Sequence, residues 1–203
     1  INGMDVSKRE NKKSIIRILG YMGSQDGYFP RLQVMEYLEV YAHAQGLYGL
    51  AARERCMEVL QMGHLERRAE QLVEEQSASV RRELSFLRAI IHRPRLLLLD
   101  DPFNGMESAQ KLAMEELFAI LAEDEVTVLM ASQSLPDAAH LCGEIGIIEK
   151  GRIISEGNLS DILRQARSEA LLYLRVCEAP EAAVAILRKE ALVRTISRDG
   201  NFQ

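Results

Sequence analysis

The stretch Leu96-Leu97-Leu98-Leu99-Asp100-Asp101-Pro102 decides how this chain is read. Four consecutive leucines leave no polar face, so the run predicts a fully buried strand, and it ends abruptly in two carboxylates and a proline. Acids at the mouth of such a strand face a ligand or a cation. In phosphate-handling α/β proteins, a carboxylate there holds Mg²⁺ through water and a neighbouring one orients an attacking water. The plainer alternative is that Asp100 and Asp101 only cap a turn before the next helix.

The flanks favour the first reading. Upstream, Ser77 is a plausible N-cap for a long helix running through Arg81-Arg82-Glu83-Leu84-Ser85-Phe86-Leu87-Arg88-Ala89-Ile90-Ile91, broken by Pro94. Downstream lies Phe103-Asn104-Gly105-Met106-Glu107. Together these segments resemble the ATP-binding subunits of ABC transporters of the bacterial drug-export type, from the helix behind the signature motif through the Walker B strand to the D-loop. The resemblance extends over Ile1 to Ala166 and implies an α/β fold with a P-loop NTPase-like ABC core made of residues 1–31 and 92–166. Residues 32–91 would form its helical subdomain, and 167–203 a small α+β accessory domain.

Element by element, Ser14-Ile15-Ile16-Arg17-Ile18-Leu19 predicts a strand ending at Gly20, followed by a loop closed at Pro30. Two helices follow, Leu32 to Gln45 with Val34, Leu38 and Tyr41 on one face, and Leu50 to Met62 carrying Ala51, Met57, Val59 and Leu60. After the leucine strand come a helix from Ser108 to Ala122, with Leu112, Leu117, Phe118 and Leu121 at helical spacing, and a strand from Val126 to Ala131. Strand, helix, strand in that order is a parallel βαβ unit. Two short β runs about Lys150-Gly151 form a hairpin, and a helix from Leu159 to Ala166 follows. Leu171 to Val176, Pro180 to Lys189 and Leu192 to Ile196 read as strand, helix and strand, with a turn at Asp199-Gly200.

Composition bounds the partners. A net charge of −5 with no block of lysine or arginine disfavours nucleic acid, whose phosphates attract basic surfaces. No apolar stretch approaches the roughly 20 residues that span a bilayer, so any membrane role runs through another subunit. Cys56, Cys142 and Cys177 are scattered without metal-ligand spacing and read as reduced thiols of a cytoplasmic protein.

The resemblance assigns roles residue by residue. Asp100 stands at the Walker B aspartate, which holds Mg²⁺ through water. Asp101 stands where the family has the glutamate that polarises the attacking water, and a carboxylate shorter by one methylene is retracted by about 1 Å, a misplacement that can cost about 10²-fold. Gln133 replaces the switch histidine and keeps a hydrogen bond but no charge. Ser24 occupies the Q-loop glutamine position, with Gln25 beside it. In the signature-like Gln76-Ser77-Ala78-Ser79-Val80, Ser77 keeps the hydroxyl, while Ser79 takes the second glycine position, where a side chain crowds the approach to a phosphate. Glu107 replaces the D-loop aspartate.

The chain contains no GxxxxGK[ST] phosphate loop, and Ile1-Asn2-Gly3-Met4-Asp5-Val6 resembles the strand and turn that follow the Walker A helix. The expectation is therefore a piece of a longer protein, binding ATP and Mg²⁺ only weakly by itself. The partners implied are an ABC membrane subunit, which would hold the protein at the inner face of the cell membrane, and a second ATP-binding subunit. Two functions follow: an energy-coupling ATPase with weakened hydrolysis, or a non-catalytic partner of an intact ATP-binding subunit.

Overall fold

The computed structural model describes residues 1–25, 27–166 and 180–187, in two units, Ile1–Leu159 and Ser160–Gln203. In the first unit, three parallel strands lie side by side: β1 (Leu19–Met22), β2 (Leu96–Asp100) and β3 (Thr127–Ala131). The leucine strand is the middle one, so both its edges are hydrogen-bonded and its C-terminal carboxylates lie at the centre of the sheet's mouth. Parallel pairing demands crossovers. Between β1 and β2 the chain forms α2 (Val34–Ala44), α3 (Gly49–Met62) and α4 (Ala78–Ile90); between β2 and β3 it forms α5 (Ser108–Glu123). This matches the βαβ expectation.

The first strand is displaced from its expected place. Lys12–Ile18 is a helix, α1, and the strand begins only at Leu19, where pairing with Leu96 starts. The isoleucines serve a helical face instead of a strand: Ile15 is buried while Ile16 is exposed. Gly20 then lets β1 pass close beneath α4, since a Cβ there would overlap the Ala89 carbonyl and lie 2.8 Å from Cδ1 of Leu97.

β2 is not buried on both faces. Leu97 and Leu99 are buried with Phe86 and Leu87 of α4 and Met114 and Leu117 of α5, whereas Leu96 and Leu98 are only half-covered. On that second face Tyr21, Leu98 and Leu129 stand in one row across the three strands, with Tyr21 58% and Leu129 65% exposed. The described helices bury one side of the sheet only. Two helical stripes also differ by a residue from expectation. Ala51 and Leu112 face solvent, and the inward positions are Ala52, Cys56, Val59 and Leu60 on α3 and Met114, Leu117 and Leu121 on α5.

α4 is fixed at both ends. Ser77 is its N-cap, accepting from the Val80 amide at 3.2 Å. At the other end Arg55 of α3 donates to the carbonyls of Ile91 (2.8 Å) and Ile90 (2.9 Å), using a cation where the helix dipole is negative. Ser77→Ala should cost about 1 kcal/mol of stability through the uncapped amide. Urea unfolding reads this directly, and an unchanged midpoint would remove the cap from the account.

A short helix that the sequence did not announce, α6 (Leu135–Leu141), follows β3, capped by Ser134. The hairpin forms as expected: β4 (Ile145–Glu149) pairs antiparallel with β5 (Arg152–Gly157), and Lys150 and Gly151 both take the positive φ a two-residue turn requires. Beyond it lie α7 (Leu159–Ala166) and α8 (Pro180–Leu187), the latter within the expected Pro180 to Lys189 helix. The strands expected at Leu171 to Val176 and Leu192 to Ile196, the Asp199-Gly200 turn and Cys177 lie outside the described residues.

Candidate functional site at the mouth of the sheet

Asp100 ends β2, half-buried, and Asp101 follows with φ +46°. That left-handed backbone is tolerated best by glycine and by short polar residues such as Asp and Asn. The Asp101 amide is satisfied by the Ala131 carbonyl at the end of β3, at 2.8 Å. Its carboxylate then turns to Gln133 on the loop after β3. Oδ1 accepts from the Gln133 backbone N–H at 3.0 Å and Oδ2 from the Gln133 side-chain amide at 3.1 Å. The two residues that the sequence singled out separately are thus one hydrogen-bonded pair, closed across the ends of two adjacent strands.

The pair forms one wall of an open cleft of about 400 Å³, which Asn104, Lys111, Ser132 and Ser134 also line. Lys111 reaches in from α5, 3.6 Å from the Asp137 carboxylate and 6.0 Å from the centre of the Phe103 ring. The lining thus carries one ammonium, the Asp101 and Asp137 carboxylates, two serine hydroxyls and the Asn104 and Gln133 amides, a set that suits a polar, oxygen-rich ligand more than an apolar one.

The signature-like segment behaves differently from a phosphate-facing loop. Ser79 is buried at 2% exposure, and its hydroxyl accepts from the Glu107 amide at 2.9 Å and donates to the Gln110 side chain at 3.2 Å. Its side chain points inward, tying the start of α4 to the start of α5. Glu107 contributes its backbone to this contact while its carboxylate is exposed. Ser77 is exposed, with its oxygen used in the helix cap. Ser24 and Gln25 lie exposed on the loop after β1. The structure therefore pairs Asp101 with Gln133, with Asp100 preceding them at the end of β2, and Ser79 with Glu107.

Sequence reasoning missed Arg82. It is buried at 3% exposure, and its guanidinium donates to the carbonyls of Gly23, Asp100, Asp101 and Pro102. An arginine inside an otherwise core-facing helix was the available signal.

Among the described residues no three His, Cys, Asp or Glu side chains converge as a metal site. A single carboxylate such as that of Asp100 is chemically suited to a hydrated Mg²⁺, which keeps several waters and takes one or two carboxylates, while each oxygen of Asp101 accepts from Gln133. The residues present therefore fit the carboxylate side of a Mg²⁺-nucleotide site, and the phosphate-cradling loop is not among these 203 residues.

A parallel α/β sheet with paired acids at its mouth, preceded by a helical insertion, defines a nucleotide-type α/β class. Residues 1–104 match the ABC transporter family, and the chain belongs to it. It is 27% identical over 195 residues to the linearmycin resistance ATP-binding protein LnrL of Bacillus subtilis, a match covering 96% of this chain and 61% of that protein. It is 31% identical to the Nod factor export ATP-binding protein I of Cupriavidus metallidurans and 30% to the bacitracin transport ATP-binding protein BcrA of Bacillus licheniformis. These matches cover 71% and 72% of this chain but only 48% and 47% of those proteins. The chain thus spans from about half to three-fifths of the length of these relatives. Among solved structures, an ATP-binding subunit of an ABC transporter superposes with a TM-score of 0.71 at 24% identity, over 82% of this chain and 69% of that one. An ATP-binding cassette bound to ADP and Pi gives 0.65, also at 24% identity, over 78% of this chain and 69% of that one. Both likenesses describe the fold.

Proposed function

We propose that this chain is the ATP-binding, energy-coupling part of an ABC exporter, acting beside a membrane subunit and a second ATP-binding domain at the inner face of the membrane. The observation that carries the reading is the Asp101–Gln133 pair, which sets a carboxylate and an amide at the sheet's mouth, facing a polar cleft. Mg²⁺-ATP would supply the phosphoryl group to be transferred and the metal charge that offsets it. The protein's own residues do the rest. Asp100 would hold the hydrated metal. Asp101 would accept a proton from the attacking water, and Gln133 would orient a phosphate oxygen by hydrogen bonding.

One observation favours the second function, a non-catalytic partner. Both carboxylate oxygens of Asp101 already accept from Gln133, so the residue expected to polarise water is engaged by its neighbour. Catalysis requires an attacking water to share that carboxylate with Gln133 or to displace it.

The membrane subunit has a candidate seat of its own. A cleft of about 540 Å³ is lined by Leu47, by Ala51 and Arg55 of α3, and by Ile91, His92 and Arg93. Beside it, Tyr48 and Leu50 are 68% and 72% exposed. Exposed apolar side chains rimming a charged cleft suit a protein partner. Affinity purification of the intact protein from native membranes should recover an ABC membrane subunit, and Leu50→Asp should reduce that recovery. Isolation as a monomer with no membrane subunit would overturn the transporter reading.

A further inference from the structure

Arg82 joins two loops that carry different parts of the proposed site. Its Nη1 donates to the Gly23 carbonyl, just after β1, at 2.7 Å. Its Nη2 donates to the carbonyls of Asp100 and Asp101, both at 2.7 Å, and its Nε to that of Pro102 at 3.3 Å. Burying a guanidinium is costly unless its donors are matched. An apolar side chain would fill the space beneath the sheet at less cost, so the benefit of arginine here is geometric: a planar fork that holds several carbonyls at fixed separations. Three of the four carbonyls it holds, those of Asp100, Asp101 and Pro102, belong to the turn in which Asp101 adopts φ +46°. Without that constraint the turn can relax toward ordinary negative φ, and the Asp101 carboxylate leaves the cleft.

We infer that Arg82 is a positioning residue: from helix α4 it fixes the backbone turn that aims Asp101 at Gln133 and at the cleft. The same contacts make α4 a mechanical link. Its N-terminus carries Ser77 and Ser79, its inward face carries Arg82, and Arg82 grips both the loop after β1 and the loop after β2. A displacement of α4 is felt at the carboxylates through one side chain. This inference rests on the proposed ATPase reading for its effect on turnover, but the structural part stands on the four carbonyls alone.

Arg82→Lys and Arg82→Gln in the intact protein test it. Lysine keeps the charge in a single point that cannot span the four acceptors, and glutamine keeps one donor group. Thermal melts identify whichever variant remains folded, and hydrogen exchange and ATP turnover are then measured on it. Exchange over 98–104 should accelerate about tenfold while α2 and α3 keep their protection. In turnover, kcat should fall at least about tenfold with KM for ATP within about twofold of the parent, because a displaced Asp101 loses transition-state contact and not ground-state binding. Unchanged exchange over 98–104 overturns the inference. So does faster exchange with unchanged kcat, which would make Arg82 a packing residue only. If the parent binds ATP yet shows no turnover, the ATPase reading has failed, and the exchange measurement alone decides whether Arg82 holds the turn.

Discussion

Glu83→Gln should change the stability of the folded chain by an amount that differs between pH 8 and pH 4.5 by about 3 kcal/mol, in favour of glutamine at pH 8. Glu83 sits on α4 at 1% exposure, and its Oε1 has no hydrogen-bond partner. Burial pushes its carboxyl up to about 7, against the opposing pull of the Arg68 guanidinium. The folded state therefore holds this proton more tightly than the unfolded state, where the group ionises near the ordinary glutamate value. Below that ordinary value both states are protonated and no penalty arises. Between it and about 7 the unfolded chain ionises first, so stability falls as pH rises; above about 7 the buried carboxylate is charged and the loss is complete. Glutamine removes the titration. Its amide has its own cost in that pocket, but this cost is the same at both pH values and cancels in the difference. Urea unfolding of parent and variant at the two pH values gives the number. A variant whose effect is independent of pH would show that Glu83 does not titrate in this range.

Glu83 and Arg82 mark the limit of what was legible in the sequence. The leucine run could be read as a strand, though only one of its faces is buried, and the ends of α4 could be read because Ser77 and Pro94 punctuate them. Within α4 the periodicity argument fails: ten of its positions from Ser79 to Ile90 are buried, so a core-facing stripe cannot be told from its opposite face. Two adjacent charged residues there, Arg82 and Glu83, are buried, and nothing in the periodicity marked them. The first strand failed for a different reason. Ile15, Ile16 and Ile18 have strand-like side chains, yet their burial alternates as a helix face does, and tertiary packing overrode propensity. At the site, the sequence gathered Asp100, Asp101 and Gln133 only by resemblance. That Asp101 and Gln133 bind each other depends on the register of β2 against β3, which pairs Asp100 with Ala131 and sets the following loops side by side. Ser79 shows the same dependence in reverse: its position in the motif suggested a phosphate-facing residue, and the rotation of α4 turns it onto Glu107 and Gln110.

The pair Asp101→Glu and Gln133→His should together raise ATP turnover of the intact protein by at least roughly tenfold, equivalent to about 1.4 kcal/mol off the barrier. The geometry gives each substitution a distinct task. Asp101 is short for its role and held by both oxygens to Gln133, so a glutamate alone gains reach but still meets an amide donor that competes with water. Gln133→His removes the side-chain amide that holds Oδ2 and supplies an imidazole able to contact a phosphate oxygen. Alone, however, it leaves the carboxylate retracted by about one methylene, roughly 1 Å, from where the water must lie. Each change thus relieves a fault that limits the benefit of the other, and the double variant should exceed the sum of the single effects in barrier terms. A small opposing cost comes from the backbone: at φ +46° glutamate is less comfortable than aspartate, which should appear as a modest loss of stability in the single and the double variant that carry Asp101→Glu. Turnover is measured with the membrane subunit and the second ATP-binding domain present, and nucleotide binding is checked separately by calorimetry. A double variant that binds ATP yet turns over no faster than its parent would show that the Asp101–Gln133 clasp is not what limits the site, and attention would pass to Ser79 and to the Ser24–Gln25 loop.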